Sequence, residues 1–391
     1  MSNNVRVSIQ TLSNDPFGTH AMLRETAPAA LMPEIGCWLV TRWDDVREVL
    51  ANDERFSPDT GGERADFFGG DKCLVFAGGA QHRRMRKILQ ASLYDPVIED
   101  KLPHLVAQTV NEVIDSFGTR READLYSEFC LPFSLRVLAS IFGIEDVSDN
   151  QLKAWLTGLW AAADFTNEGD PTMQALAAET EQDLQAELKP RLRQLKLAQR
   201  DVLFSRMQTI SVDGDLLSEE EAYANAKQLL LALAEPGELI GVIMWLLLTH
   251  SEQLPQRIDR RALLTAIEEA NRYWPISGAA VRKVVSDIEL GGHHFESNAR
   301  IVYDVRSANR DERKWTSPEQ FDARRHEGGN LAYGAGAHMC LGARLVRRMT
   351  PRVVELLFER LPGLELNTDR SPKFGGWPQF KPETLWVRWG Q

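Results

Sequence analysis

Apolar residues recur at spacings of three and four through the middle of the chain. The pattern predicts helices over 103–115, 122–143, 150–164, 172–209 and 218–250, and again over 260–274 and 341–361. Ser218 followed by Glu221 predicts a capping box where the fifth of these begins. Strand patterns are shorter and sit towards the two ends. Residues 36–57 read as a strand followed by a short helix started by Asp44 or Asp45, and further strands are expected within 281–303 and in the closing ETLWVRW. The sum is a mainly α fold with a minor β region. No repeat, low-complexity run or Gly/Ser linker divides the chain, so a single domain over 1–391 is expected.

The longest apolar run, LLLALAEPGELIGVIMWLLLTH (229–250), is interrupted by Glu235, Pro236, Gly237 and Glu238. Without them it could span a bilayer, for which about 20 apolar residues suffice. A carboxylate near the membrane midplane costs about 3 kcal/mol on insertion scales. The run therefore reads as a helix through a large core, broken where something polar happens. Pro236 lacks an N–H, so a kink is expected there, with the carbonyl of Ala232 released to hold water or substrate. The net charge of −11 and the lack of a basic tail argue against nucleic acid. The N-terminus has no apolar segment of signal-peptide type, so a cytoplasmic protein is expected. Cys37, Cys73, Cys130 and Cys340 form no C-x-x-C pair, and three of them read as small buried hydrophobes.

The fourth differs. In NLAYGAGAHMCLGARLVRRM (330–349), Gly334 and Gly336 permit a tight loop close to a flat ligand. Cys340 falls where a helix begins, so free amides and the dipole can stabilise a thiolate. Gly342 removes a side chain just beyond it. A cysteine among glycines is usually structural; the whole spacing Y-G-x-G-x-H-x-C-x-G is far more specific.

That spacing resembles the cysteine loop of the cytochromes P-450, the haem-thiolate monooxygenases, in their soluble bacterial form. EEANR supplies the family's E-x-x-R as Glu269 and Arg272, a structural pair. AGGAQHRRMRK resembles its H-x-x-x-R helix, and VRKVVSDIELGG the strand after the E-x-x-R helix. SANRDERKW, PEQFDARR and GGWPQF follow in the family's order, so the likeness spans essentially the whole chain. It implies a cytochrome P-450 fold, with haem b (iron protoporphyrin IX) between a long central helix and the cysteine loop. Cys340 becomes the axial metal ligand. His82, Arg86, Arg282 and His338 match the propionate positions, and Tyr333 and Gly334 belong to the haem-binding loop, Tyr333 replacing the usual Phe. Gln320 stands where the family offers an arginine to the E-x-x-R pair; Arg324 or Arg325 is the expected substitute.

The family's central helix carries A-G-x-(Asp/Glu)-Thr, an acid–alcohol pair that delivers protons. Two registers fit here. Anchoring on LIG (239–241) puts Ala234 at the acid position and Glu235 at the alcohol position; matching AEPGEL puts Gly237 and Glu238 there. The first keeps the downstream helix in step and is preferred, and neither restores the threonine. Glu235 in an apolar pocket would have a raised pKa and could serve as an acid–base group. The expected activity is dioxygen-dependent hydroxylation or demethylation of a small organic substrate, with Glu235 relaying protons. A peroxide-driven peroxygenase using Glu235 as acid and base is the alternative, followed by redox-neutral haem chemistry and a non-catalytic haem sensor. Basic runs at 82–87 and 344–348 suit an acidic ferredoxin or flavodoxin-like electron donor. Phe67, Phe68, Trp160, Leu233, Ile276 and Phe380 are the expected substrate-pocket residues.

Overall fold

The computed structural model describes residues 5–253 and 260–390; the extreme ends of the expected 1–391 domain lie outside the described residues. It is mainly helical with small sheets. By internal contacts the chain forms two compact units: Met1–Ser57, Val110–Leu131 and Pro236–Gln391 in the first, Pro58–Thr109 and Pro132–Glu235 in the second.

The first unit carries a five-stranded sheet in the order Ala29–Met32, Cys37–Val40, Arg300–Asp304, Ala279–Val284, Phe56–Ser57. Cys37–Val40 runs parallel to Arg300–Asp304, with Leu39 opposite Val302; the other pairings are antiparallel. The β region therefore draws on distant parts of the chain, as the pattern predicts. A three-stranded sheet adds Glu122–Asp124, Trp386–Arg388 and Glu365–Leu366. Val40, Val46, Leu50, Phe56, Val284, Ile301 and Val305 form the core under the larger sheet. The helix after the second strand starts at Trp43, with Arg42 at its cap position and no side-chain cap bond. Asp44 and Asp45 sit in its first turn, where their charge suits the dipole, and Asp45 also accepts from the Gly291 amide at 3.2 Å. The cap thus lies two or three residues before the expected aspartates.

The second unit is almost wholly helical. Its boundaries match the apolar pattern closely at Asp149–Ala163. The predicted helix over 172–209 divides into Pro171–Ala198 and Leu203–Thr209, with Gln199 left-handed at the break. The helix predicted over 122–143 is shorter in the structure: residues 122–124 form a strand, Tyr126–Cys130 a π-helical turn, and only Leu131–Phe142 an α-helix. Apolar spacing cannot reveal that 122–124 pair with the distant chain end. Helices Asp149–Ala163 and Pro171–Ala198 pack so closely that a Cβ on Gly158 would lie 1.7 Å from the Thr180 hydroxyl.

The long apolar run is two helices rather than one kinked helix. Glu219–Leu231 ends at Ala232, residues 232–234 turn, and a new helix runs from Glu235 to Thr249. Pro236 occupies the second position of the new helix, where its missing N–H forfeits no bond. The released carbonyl was expected at Ala232; the contact seen in the turn is at Leu233, whose carbonyl accepts from Ser134 Oγ at 2.6 Å. By length and composition the stretch Glu219–Thr249 could cross a membrane, but its most apolar window is 78% buried, as in a core helix.

The capping box is present: Ser218 Oγ accepts from the Glu221 amide at 3.2 Å, and the Glu221 carboxylate accepts from the Ser218 amide at 2.8 Å. That carboxylate also receives Gln81 Nε2 at 2.6 Å and pairs with Arg84. Ser218→Ala should lower the unfolding free energy by about 1 kcal/mol, read as a reduced urea midpoint at unchanged slope.

Candidate functional site

The loop 331–342 is wound by backbone bonds. The Gly334 amide donates to the Leu331 carbonyl at 2.8 Å, and the Cys340 amide to the Tyr333 carbonyl at 2.8 Å. Gly334 and Gly336 have φ of 74° and 69°. The expected closeness of these glycines to a flat ligand has a second side. A Cβ on Gly336 would lie 2.6 Å from Ala51 Cα and 2.9 Å from its carbonyl oxygen, so this glycine lets the loop press on the end of helix Trp43–Ala51. At Gly334 the nearest atom is 3.8 Å away.

The winding leaves Cys340 exposed, whereas Cys37, Cys73 and Cys130 are buried. Burial pushes the Cys73 thiol up to about 11 and holds Cys130 well above its ordinary value. Met339 beside Cys340 is 43% exposed, so the loop presents a thiol with an apolar neighbour. The following helix starts at Ala343 with Gly342 as its cap, so Cys340 sits two residues before the cap. Among the described residues no group of three His, Cys, Asp or Glu could hold a bare metal ion. An exposed cysteine beside an exposed methionine fits a metal that brings its own ring of ligands. The residues present therefore fit haem.

Tyr333 is half-buried, with the Arg347 guanidinium 4.4 Å above its ring. Burial and the Glu268 and Cys340 charges raise its hydroxyl far above the ordinary value, against Arg347 and the Asn271 amide. Glu268 fixes Arg347 through contacts of 2.7 and 3.2 Å. Sequence reading treated Arg347 only as part of a basic patch and missed this stack. His338 is half-buried; Arg282 is buried, 5.5 Å from the Tyr303 ring, donating to the Val281 carbonyl at 3.2 Å.

Glu269 and Arg272 are both 1% exposed and joined by two bonds of 2.7 and 2.8 Å. Arg272 also donates to the carbonyls of Asn309, Pro318 and Gln320. Arg325 Nε stands 3.1 Å from Glu269, so of the two expected substitutes Arg325 supplies the second guanidinium. Gln320 contributes its backbone instead of its side chain.

Of the first unit's expected pocket residues, Ile276 is half-buried. Phe380 is packed away: 5% exposed, under the Arg306 guanidinium at 4.8 Å, its carbonyl bonded by Trp274 Nε1 at 2.7 Å. Arg306, which sequence reading did not single out, donates to Pro275, Ile276 and Pro378 and so joins two expected pocket segments. Charged residues deep in a core give no periodic signal.

In the second unit, His82 is buried and Arg86 half-buried on the helix Gly79–Leu93. Phe67 and Trp160 are half-buried; Phe68 is 1% exposed and stacks on Phe76 at 6.1 Å. Leu233 and Ala234 are buried in the turn, and Glu235, half-buried, opens the new helix. Glu238, in the first unit, is 3% exposed and faces Lys381 at 3.3 Å. Burial raises its pKa, and Lys381 opposes the shift. The expected basic patch is partly neutralised within each unit: Arg84 pairs with Glu221, Lys87 with Asp213 and Arg347 with Glu268.

A thiol presented by a glycine-wound loop, backed by a buried Glu–Arg pair, defines a haem-thiolate protein. A sequence model of the family described as Cytochrome P450 matches residues 252–369. The chain is 30% identical over 380 residues to cytochrome P450 monooxygenase PikC of Streptomyces venezuelae, covering 93% of this chain and 87% of that one. It is 30% identical to mycinamicin IV hydroxylase/epoxidase of Micromonospora griseorubida, with 89% of each covered. The solved structure of P450BioI in complex with hexadec-9Z-enoic acid-ligated acyl carrier protein superposes with a TM-score of 0.87 at 24% identity, covering 97% of this chain and 100% of that one. The chain belongs to the cytochrome P450 family. It is an enzyme, a haem-thiolate monooxygenase acting on small organic molecules.

Gly336→Ala should cost at least about 2 kcal/mol, combining backbone strain with overpacking against Ala51. Gly334→Ala, strained but unobstructed, should cost about 1 kcal/mol. Urea unfolding of both variants checks the order.

Proposed function

We propose that the chain is a dioxygen-using monooxygenase that hydroxylates or demethylates a small organic substrate, with Cys340 holding haem b and Glu235 as the acid of the proton path. The observation that carries the proposal is Cys340, exposed on a loop that closes on its own carbonyls through the Gly334 and Cys340 amides. When bound, the haem supplies the redox chemistry that places oxygen on carbon. Relatives named as a 6-deoxyerythronolide B hydroxylase and a mycinamicin IV hydroxylase/epoxidase support oxidation of small molecules.

The chain's own groups take the remaining tasks. Cys340 ligates the metal as thiolate, the positive end of the helix from Ala343 favouring its charge. Arg282 and His338, with His82 and Arg86, are assigned to the propionates, which need cationic or hydrogen-bonding partners when buried. Leu233, Trp160 and Phe67 in the second unit and Ile276 in the first are retained as candidate pocket residues; Phe380 is packed within the first unit. For protons, Glu235 is assigned because it opens the new helix directly after the turn at 232–234. Half-buried at the first position of a helix, Glu235 is a carboxylate of the type that general acid–base catalysis uses. The electron donor is proposed to be a small acidic ferredoxin or flavodoxin-like protein, and the compartment the cytoplasm. Arg83, exposed and in no ion pair among the described residues, is one cation left for such a partner.

Cys340→Ser should abolish the red-shifted Soret band of the ferrous–CO complex; an unchanged band would refute thiolate ligation. Glu235→Gln should lower turnover with NADH, ferredoxin reductase and ferredoxin by about 10²-fold, the lower end of general acid–base contributions, while leaving that band intact. Full activity of the variant removes Glu235 from the proton path. Faster parental turnover with hydrogen peroxide than with the reductase system would assign the peroxygenase reading instead.

A further inference from the structure

The second unit contains a cavity of about 280 Å³ that shares Phe67 with the proposed substrate pocket and whose charged wall neither the thiolate nor the proton path uses. At roughly 30 Å³ per water, it has room for on the order of ten non-hydrogen atoms or somewhat more. One wall is aromatic and apolar, from Phe67, Phe68, Tyr223 and Leu192. The other is charged, and its arrangement is uneven.

Lys227 is the deep cation, 3% exposed. Its ammonium bonds to the Phe67 carbonyl and to Glu181 at 2.8 Å, and lies 4.5 Å from the Phe67 centroid and 5.0 Å from that of Tyr223. Glu181 also accepts from the Tyr223 hydroxyl at 3.2 Å, so its charge is spent on two internal donors. Burial lowers the Lys227 pKa and Glu181 opposes this, with Lys189 adding a further repulsion. Lys189, half-buried, rests its ammonium 4.5 Å from the Tyr223 ring centroid, with no carboxylate partner among the described residues. Around Tyr223 there are thus two ammonium groups and one committed carboxylate. At the mouth, Glu219 is engaged by Arg193 at 3.2 Å, and Asp66, Lys72 and Glu220, exposed unlike Lys227, complete the charged lining.

The cavity is also well fastened. The Asn225 side chain accepts from the Leu74 amide at 2.9 Å and donates to the Lys72 carbonyl at 3.0 Å, tying the segment that carries Phe67 and Phe68 to helix Glu219–Leu231. A preformed pocket loses less ordering entropy on binding. Apolar lining with a few fixed polar groups is the usual composition of a small-molecule site.

We propose that this cavity binds a small organic carboxylate, its anionic end paired with Lys189 and its apolar body laid on Phe67, Phe68 and Leu192. The positive charge beside Tyr223 selects an anion over the neutral analogue of the same shape. Glu181, held by Lys227 and Tyr223, contributes by keeping Lys227 in place and leaving Lys189 to the ligand.

Isothermal titration calorimetry of the haem-loaded protein with 4-phenylbutyrate and with its neutral isostere 4-phenylbutyramide tests this. The acid should bind saturably and about tenfold more tightly than the amide, the scale of one charge-assisted bond at a half-exposed site. Lys189→Gln should erase that difference, whereas Lys196→Gln, an exposed lysine further along the same helix, should preserve it. Equal affinity for acid and amide, an unchanged preference in Lys189→Gln, or no saturable binding of the acid would each overturn the proposal. The ferrous–CO spectrum of every sample is recorded alongside. A normal band with failed binding sinks this inference and leaves the monooxygenase reading standing; loss of the band sinks that reading while the calorimetry still decides this one.

Discussion

The close approach of Gly336 to Ala51 governs the chemistry of the first unit. With a Cβ position 2.6 Å from a backbone carbon, only glycine lets the loop lie on the helix end. The Gly334 and Cys340 amides then close the loop on its own carbonyls. These contacts turn one cysteine of four outward. The sulfur's exposure follows from this backbone packing.

Behind that loop the unit is held by guanidinium groups that have been taken out of water and fully employed. Arg272 is divided between Glu269 and three carbonyls; Arg306 between three carbonyls of two segments. Removing one partner of such a buried pair typically costs about 3–5 kcal/mol, because the other charge is left stranded. The same device appears in the second unit, where Lys227 holds Glu181 and the Phe67 carbonyl. In each case the charged side chain fixes irregular backbone that hydrophobic packing alone cannot orient.

These two devices explain what could be read in advance. Helices with a continuous apolar stripe, such as Asp149–Ala163, were legible because period and burial coincide. The capping box and the E-x-x-R pair were legible because their partners lie within four residues. The strand Glu122–Asp124 was not, since its partner lies more than 250 residues away and its own sequence carries no alternation. Arg306, Ser134 and the Arg347–Tyr333 stack were missed for the same reason: each acts on a carbonyl or ring that only the tertiary fold delivers. The interruption at 232–234 was located correctly from Pro236 and misjudged in form, because proline in a first turn begins a helix more easily than it bends one.

The restart of the helix at Glu235 and the outward thiol of Cys340 belong to one account, in which irregular backbone places a few polar groups on otherwise apolar elements. Its central claim concerns the sulfur. X-ray absorption at the iron edge of the haem-loaded protein tests it most directly: the account predicts one sulfur neighbour beside the porphyrin nitrogens, and a first shell of nitrogen and oxygen alone would contradict it.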